Sequence, residues 1–130
     1  MKTHINGIRI IPTEDEEQAY IVSWAKINES RYPELKLLYH IPNEGKRSGR
    51  EGARMKRLGL RRGVSDLCLP VARCGFHGLY IELKAQDGRT TAEQNEFIKD
   101  VLGQGYYARV CFGADEAVMV LEDYLKGGKK

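Results

Sequence analysis

Cysteine is scarce. Cys68, Cys74 and Cys111 form an odd set without framework spacing, which excludes a disulfide scaffold and fits a reducing cytosol. Cys68 and Cys111 stand in apolar stretches and are expected to pack as buried thiols. His77 follows Cys74 by three positions, but the remaining ligands of a zinc site at standard spacing are absent. No apolar run approaches the roughly 20 residues that span a bilayer, so no membrane association is expected. The opening MKTHINGIRI lacks the apolar stretch of a secretory signal. The phosphate-binding loop pattern is also missing, and Gly75 to Gly78 reads as a turn. No internal repeat is present. A chain of 130 residues fits one soluble, cytoplasmic domain with a single core, having an extended arm over residues 1–12 and a flexible tail over 127–130.

What is present is charge, and it is unevenly placed. The net charge is only +3, yet the window from Lys46 to Gly63 carries eight basic residues against one acid, Glu51. The remainder of the chain is therefore net acidic. Lys46, Arg47, Arg50, Arg54, Lys56, Arg57, Arg61 and Arg62 make a local basic patch that suits a polyanion; the plainer reading is a solvated loop.

Patterning predicts a mixed α/β order. Thr13 and Glu16 have capping-box spacing before an acidic turn, which predicts a helix from Glu14 to Glu29 with Trp24 packed in the core, ended before Pro33. Leu35 to Ile41 reads as a strand, and Pro42-Asn43-Glu44-Gly45 as a turn. Glu51 to Leu58 can form a short helix stopped by Gly59. Val64 to Ala72 and Leu79 to Ala85 read as strands joined by the short connection Arg73 to Gly78, hence an antiparallel hairpin. Thr90 and Thr91 offer caps for a helix running to Leu102, with Phe97, Ile98, Val101 and Leu102 facing the core. Tyr106 to Phe112 is a third core strand, joined to the hairpin by a strand-helix-strand crossover. Ala114 to Leu125 is a closing helix. His40 is either a DNA contact or a satisfied surface histidine.

The chemistry concentrates in Gly63-Val64-Ser65-Asp66 and Ile81-Glu82-Leu83-Lys84. Each places an acid beside core residues, which is costly unless the acid is paired or bound to a cation. Strand alternation puts Glu82 and Lys84 on one face and Ile81 and Leu83 on the other. Asp66 on one hairpin strand can face Glu82 on its partner. Two close carboxylates repel, and a divalent cation resolves that conflict. Mg²⁺ or Mn²⁺ held by Asp66, Glu82, the Leu83 backbone carbonyl and waters would satisfy a hard cation. Lys84 is then placed to hold an attacking water, and this is the equipment of phosphodiester hydrolysis.

A carboxylate followed by E-x-K on a hairpin resembles the core of the PD-(D/E)XK nucleases. More narrowly, the chain resembles the virus-type replication-repair nuclease domain, VRR-NUC. The matching pieces are Glu14 to Gln18, Tyr32-Pro33-Glu34-Leu35, Ile41-Pro42-Asn43 with Gly45-Lys46-Arg47, Gly63 to Asp66, Gly78 to Lys84, and Thr91-Ala92-Glu93-Gln94. Ser65 stands where the older pattern has proline. The resemblance implies a restriction-endonuclease-like α/β core, a mixed central sheet flanked by helices. It implies a metal-dependent deoxyribonuclease with Asp66 and Glu82 on the metal and Lys84 assisting hydrolysis. An acid of the first helix completes such a site; Glu14 and Glu17 both fit, lying three apart near one helix face. Gln94 and Gln18 are candidate supporting or phosphate contacts, with the capping box as the alternative for Gln94. Stand-alone relatives of phage type imply a homodimer acting on branched DNA such as four-way (Holliday) junctions, in the cytoplasm of a bacterial host. The competing readings are a non-catalytic DNA-binding module of the same fold and a protein-interaction domain with an incidental acidic cluster.

Overall fold

The computed structural model describes residues 4–42 and 49–127. The expected extended arm is instead a small hairpin, β1 (His4–Ile5) and β2 (Ile8–Arg9), paired Ile5 with Ile8 and His4 with Arg9. Asn6 and Gly7 both have positive φ, 51° and 78°, the two-residue turn whose twist matches antiparallel strands. Ile11 then enters the core.

Helix α1 (Glu14–Ile27) starts at the expected capping box. The Glu16 N–H donates to Thr13 Oγ1 at 3.2 Å, and the Thr13 N–H donates to Glu16 Oε1 at 2.9 Å. Those hydrogen bonds hold the Glu16 carboxyl below its ordinary range. A 3-10 turn over Asn28–Ser30 finishes the segment. The expected strand over Leu35 to Ile41 shrinks to β3 (Tyr39–His40). Pro33 begins a 3-10 turn over Pro33–Leu37 that buries Leu35, and a 3-10 turn cannot lie in a sheet. Of the expected Pro42-to-Gly45 turn, residues 43–45 lie outside the described residues. Helix α2 (Gly49–Arg57) starts two residues before the expected short helix and ends one residue before Leu58, and Gly59 follows at φ 108°.

The sheet runs β3, β4 (Leu67–Leu69), β5 (Leu79–Lys84), β6 (Tyr107–Phe112), antiparallel twice and then parallel. The hairpin and the crossover stand as expected. The first hairpin strand, however, is only Leu67–Leu69, because Val64 to Asp66 lie ahead of the ladder. Leu67, Leu69, Leu79, Ile81 and Leu83 point to one face, where Ile21 and Ala25 of α1 and Ala117, Val120 and Leu121 of α4 (Ala114–Lys126) close the core. Burying each large aliphatic side chain there contributes about 1.5–3 kcal/mol.

Helix α3 (Ala92–Gly103) covers the other face, capped by Thr91. Its apolar side chains do not reach a buried core as expected: Phe97, Ile98 and Val101 are half-buried and Leu102 is exposed. Phe97 meets Tyr80 edge to face at 5.2 Å. This face of the sheet carries Glu82 and Lys84, both buried. No helix among the described residues is long and apolar enough to cross a membrane.

Candidate active site

The hairpin register sets the geometry. Leu67 pairs with Ile81, so the next residues outward, Asp66 and Glu82, stand opposite one another on the α3 face. Asp66 is fixed from two sides. Its Oδ2 accepts the Leu83 N–H at 2.7 Å. Its carbonyl accepts the Ile41 N–H at 2.7 Å and lies 3.0 Å from His40 Nδ1. An acceptor at that distance requires His40 to carry its proton on Nδ1, so His40 is a satisfied exposed histidine that steadies the Asp66 backbone.

Glu82 is 1% exposed. Its carboxyl hydrogen-bonds that of Asp66, Lys84 Nζ lies 3.9 Å from Oε2, and Oε1 has no partner. Burial first, then the charge and hydrogen bond of Asp66, push Glu82 up to about 9 against the pull of Lys84. Glu82 therefore favours its protonated form at neutral pH. Deprotonation leaves a buried carboxylate beside Asp66 that Lys84 at 3.9 Å offsets only in part, the condition under which a divalent cation binds in exchange for the proton.

The first-helix acids separate. Glu14 is exposed on the opening turn of α1, and its charge adds to the upward push on Glu82. Glu17 is buried, and its Oε2 lacks a hydrogen-bond partner. That oxygen packs against Gly113, where a β-carbon would come within 3.0 Å of it. Gly113 in turn donates its N–H to the Lys84 carbonyl at 2.9 Å. The Lys84 carbonyl thus points toward β6, and by strand alternation the Leu83 carbonyl points the other way, to the Asp66 side.

Among the described residues, no three His, Cys, Asp or Glu side chains converge as a metal-holding group. The donor set at the pair is two carboxylates, one of them with an unpartnered oxygen, and a main-chain carbonyl on the same side. That set fits Mg²⁺ or Mn²⁺, which bind oxygen donors and retain several waters.

Gln94 Oε1 accepts the Thr91 N–H at 2.8 Å, so its carbonyl serves the cap and only its amide N–H₂ is left to face outward. Gln18 is half-buried one residue beyond Glu17. Arg50, Arg54, Lys56 and Arg57 are exposed on α2, as are Arg61 and Arg62 after it. Arg50, Arg54 and Arg57 recur at helical spacing on one face, with Glu51 3.5 Å from Arg54. Lys46 and Arg47 lie outside the described residues.

Sequence reasoning passed over three supports. Gly63, at φ 87°, packs so closely on α3 that a β-carbon would sit 2.5 Å from the Glu93 carbonyl oxygen. It joins the basic segment to the start of α3, two residues before Ser65. Ser65 itself is fully buried with an unpartnered hydroxyl. Arg9 ties the N-terminal hairpin to Asp87 at 3.0 Å. A glycine inside an otherwise basic and apolar stretch was the available signal for the first; no local pattern marks the others.

A four-strand mixed sheet between helices, with two facing carboxyl groups and a lysine at the end of the hairpin, is the arrangement of a PD-(D/E)XK-type nuclease. The sequence model of the VRR-NUC domain matches residues 12–115, and the chain belongs to that family. Among solved structures, a VRR_NUC domain protein is similar to it at 32% identity and a TM-score of 0.80, over 92% of this chain and 93% of that one. No curated protein matches the chain.

Proposed function

We propose that the protein is a divalent-metal-dependent DNA endonuclease that selects branched DNA, acting through Asp66, Glu82 and Lys84. The observation that carries this reading is the buried Glu82 carboxyl hydrogen-bonded to the half-buried Asp66, with Oε1 unpartnered and Oε2 3.9 Å from the Lys84 ammonium. Asp66, Glu82 and the Leu83 carbonyl would hold a divalent cation, which would supply Lewis acidity toward a phosphodiester and its attacking water. Glu82 would give up its proton to form, with Asp66, the anionic donor pair. Lys84, held beside them, donates to the attacking water and orients its lone pair toward phosphorus. Glu14 adds negative charge at the same place, which would attract a divalent cation once the proton has left. Glu17 shapes the floor at Gly113, and Gln18 and the Gln94 amide flank the opening. Arg50, Arg54, Lys56, Arg57, Arg61 and Arg62, with Lys46 and Arg47, grip phosphates without reading bases. A homodimer would set two such centres on a symmetric junction.

The test incubates a four-way junction, a flap, a linear duplex and a single strand with wild type and Lys84→Ala, in Mg²⁺, Mn²⁺ or EDTA. Metal-dependent cutting of the junction that is lost in the variant supports the reading. Equal cutting of every duplex removes the branch preference. Tight binding without cutting by wild type favours the non-catalytic module.

A further inference from the structure

The N-terminal hairpin is built inside out. Ile5 and Ile8 are cross-strand partners and share one face, while His4 and Arg9 share the other. A small hairpin on a soluble domain ordinarily turns its apolar face inward. Here Arg9 faces the protein, reaching Asp87 at 3.0 Å and the Pro12 carbonyl at 3.4 Å, and its charge acts on Glu16 of α1. The isoleucine pair is turned outward, 51% and 69% exposed. A two-stranded hairpin is marginal by itself, so the Arg9–Asp87 anchor sets where it stands.

That place is beside the catalytic end of the sheet. Gln86 and Asp87 form the turn that follows β5, closed by the Gly88 N–H on the Ala85 carbonyl at 2.9 Å. A β-carbon on Gly88 would lie 3.4 Å from Lys84 Cβ. Arg9 therefore anchors the hairpin to a turn packed on Lys84, while its charge reaches the first turn of α1, the turn that holds Glu14. The segment is also free of acids: residues 1–12 contain Lys2, His4 and Arg9 and no Asp or Glu. An exposed apolar pair on a segment whose own charges are all basic suits a polyanion that exposes an apolar surface.

We propose that the β1–β2 hairpin is a branch-point wedge, in which Ile5 and Ile8 stack on the base pair left open where DNA strands part, next to the bond to be cut. The wedge rests on the reading of the protein as a DNA nuclease. Apolar side chains that enter between base steps recover stacking surface at the cost of unstacking. A branch point has already met that cost, whereas a continuous duplex has not. The wedge thereby makes the site selective for branched DNA without reading sequence.

The test compares wild type with Ile5→Thr/Ile8→Thr, which keeps β-branched side chains and removes the apolar tip, and with Ile8→Phe, which enlarges it. Binding is measured in EDTA to a four-way junction, a flap and a linear duplex of equal length, with 2-aminopurine at the branch-point pair. Wild type and Ile8→Phe should bind branched DNA about 10-fold more tightly than duplex, a factor in keeping with stacking of one base, and should change the 2-aminopurine emission. The double threonine variant should lose both effects while its duplex affinity stays within about 2-fold. A double variant that keeps its branch preference overturns the wedge and leaves the nuclease reading intact. A double variant that changes oligomeric state in sedimentation also overturns it and makes the hairpin a protomer contact. Wild type with no affinity for any DNA overturns the nuclease reading and the wedge together.

Discussion

The Leu83 N–H donates to Asp66 Oδ2 at 2.7 Å, so the strand that carries Glu82 and Lys84 also holds the carboxylate that opposes them. The aspartate is not in the ladder of β4, yet the ladder of β5 orients it. Any change in the Asp66 side chain therefore acts on the proposed cation site and on the hairpin end at once. Asp66→Asn keeps an oxygen that can accept the Leu83 N–H but removes a negative charge. This variant should fold, bind DNA with near-wild-type affinity and lose cleavage by roughly 100-fold or more. Asp66→Ala should lose cleavage equally and also melt lower, which calorimetry separates from the catalytic defect. Cleavage by Asp66→Asn at the wild-type rate would remove this residue from the chemistry.

Glu82 supplies a pH-dependent cost. Its carboxyl is held up at about 9 in the folded chain against an ordinary 4.5, first by burial and then by Asp66. A raised folded value favours the protonated folded state: the contribution is full below the ordinary value and is lost as pH rises toward 9. Without metal, wild type should therefore melt at progressively lower temperature from pH 5 to pH 9. Glu82→Gln, neutral throughout, should lack that decline and exceed wild type at pH 8 by roughly 5 °C or more. Added Mg²⁺ or Mn²⁺ should raise wild type at pH 8 and leave Glu82→Gln unmoved, with proton release on binding. Parallel melting curves for the two proteins in EDTA would contradict the raised Glu82 value.

Much of this was readable beforehand, because it rests on local rules. Thr13 and Glu16 announce α1, Thr91 and Gln94 announce α3, and the short link between Leu69 and Leu79 dictates an antiparallel pair. That pair is what sets Asp66 against Glu82. What the pattern left open depends on tertiary cover. Phe97, Ile98, Val101 and Leu102 have the spacing of a core face, but spacing does not reveal that α3 lies on the thin side of the sheet. Leu35 is apolar and buried, as a strand residue would be, yet Pro33 turns its segment into a 3-10 coil. Asn6-Gly7 is a strong hairpin turn, but its flanking strands, two residues each, are too short to show alternation. Nothing local distinguishes the exposed Glu14 from the buried Glu17; that difference arises where α1 meets Gly113.

Gly63 links the basic segment to α3, and its substitution should be costly for two separable reasons. The φ of 87° strains any other residue, and a β-carbon would press to 2.5 Å from the Glu93 carbonyl. Gly63→Ala should lose about 3 kcal/mol, strain and collision together. Gly59 has φ 108° with open space around it, so Gly59→Ala meets strain alone and should lose about 1 kcal/mol. Urea unfolding of both variants measures the difference. Equal losses would mean that the Gly63–Glu93 approach relaxes freely.

The arginine face of α2 makes a prediction about salt. Each phosphate neutralised by a basic side chain contributes about 0.9 to the slope of log affinity against log salt. Replacing Arg54, Lys56 and Arg57 by glutamine should weaken duplex and junction binding alike and lower that slope by up to about 2.7. These residues are exposed and distant from the core, so the melting temperature should stay put. An unchanged slope would move the DNA grip elsewhere on the surface.

The two glutamates of α1 can be told apart by cation binding. The Glu14 charge helps raise Glu82, so it holds the proton there in the metal-free protein and would attract a divalent cation to the same place. Glu17 is buried beside Gly113, with Oε2 unpartnered. Glu14→Gln should weaken Mn²⁺ binding, read by calorimetry, by roughly 10-fold, as loss of a supporting partner does at a metal centre. It should also lower the Glu82 titration, because one of the charges raising it is gone. Glu17→Gln keeps the shape of the side chain under Gly113 and should change Mn²⁺ affinity less. The reverse order would make Glu17, through its unpartnered oxygen, the first-helix ligand, and would leave Glu14 as ordinary charge at a helix start.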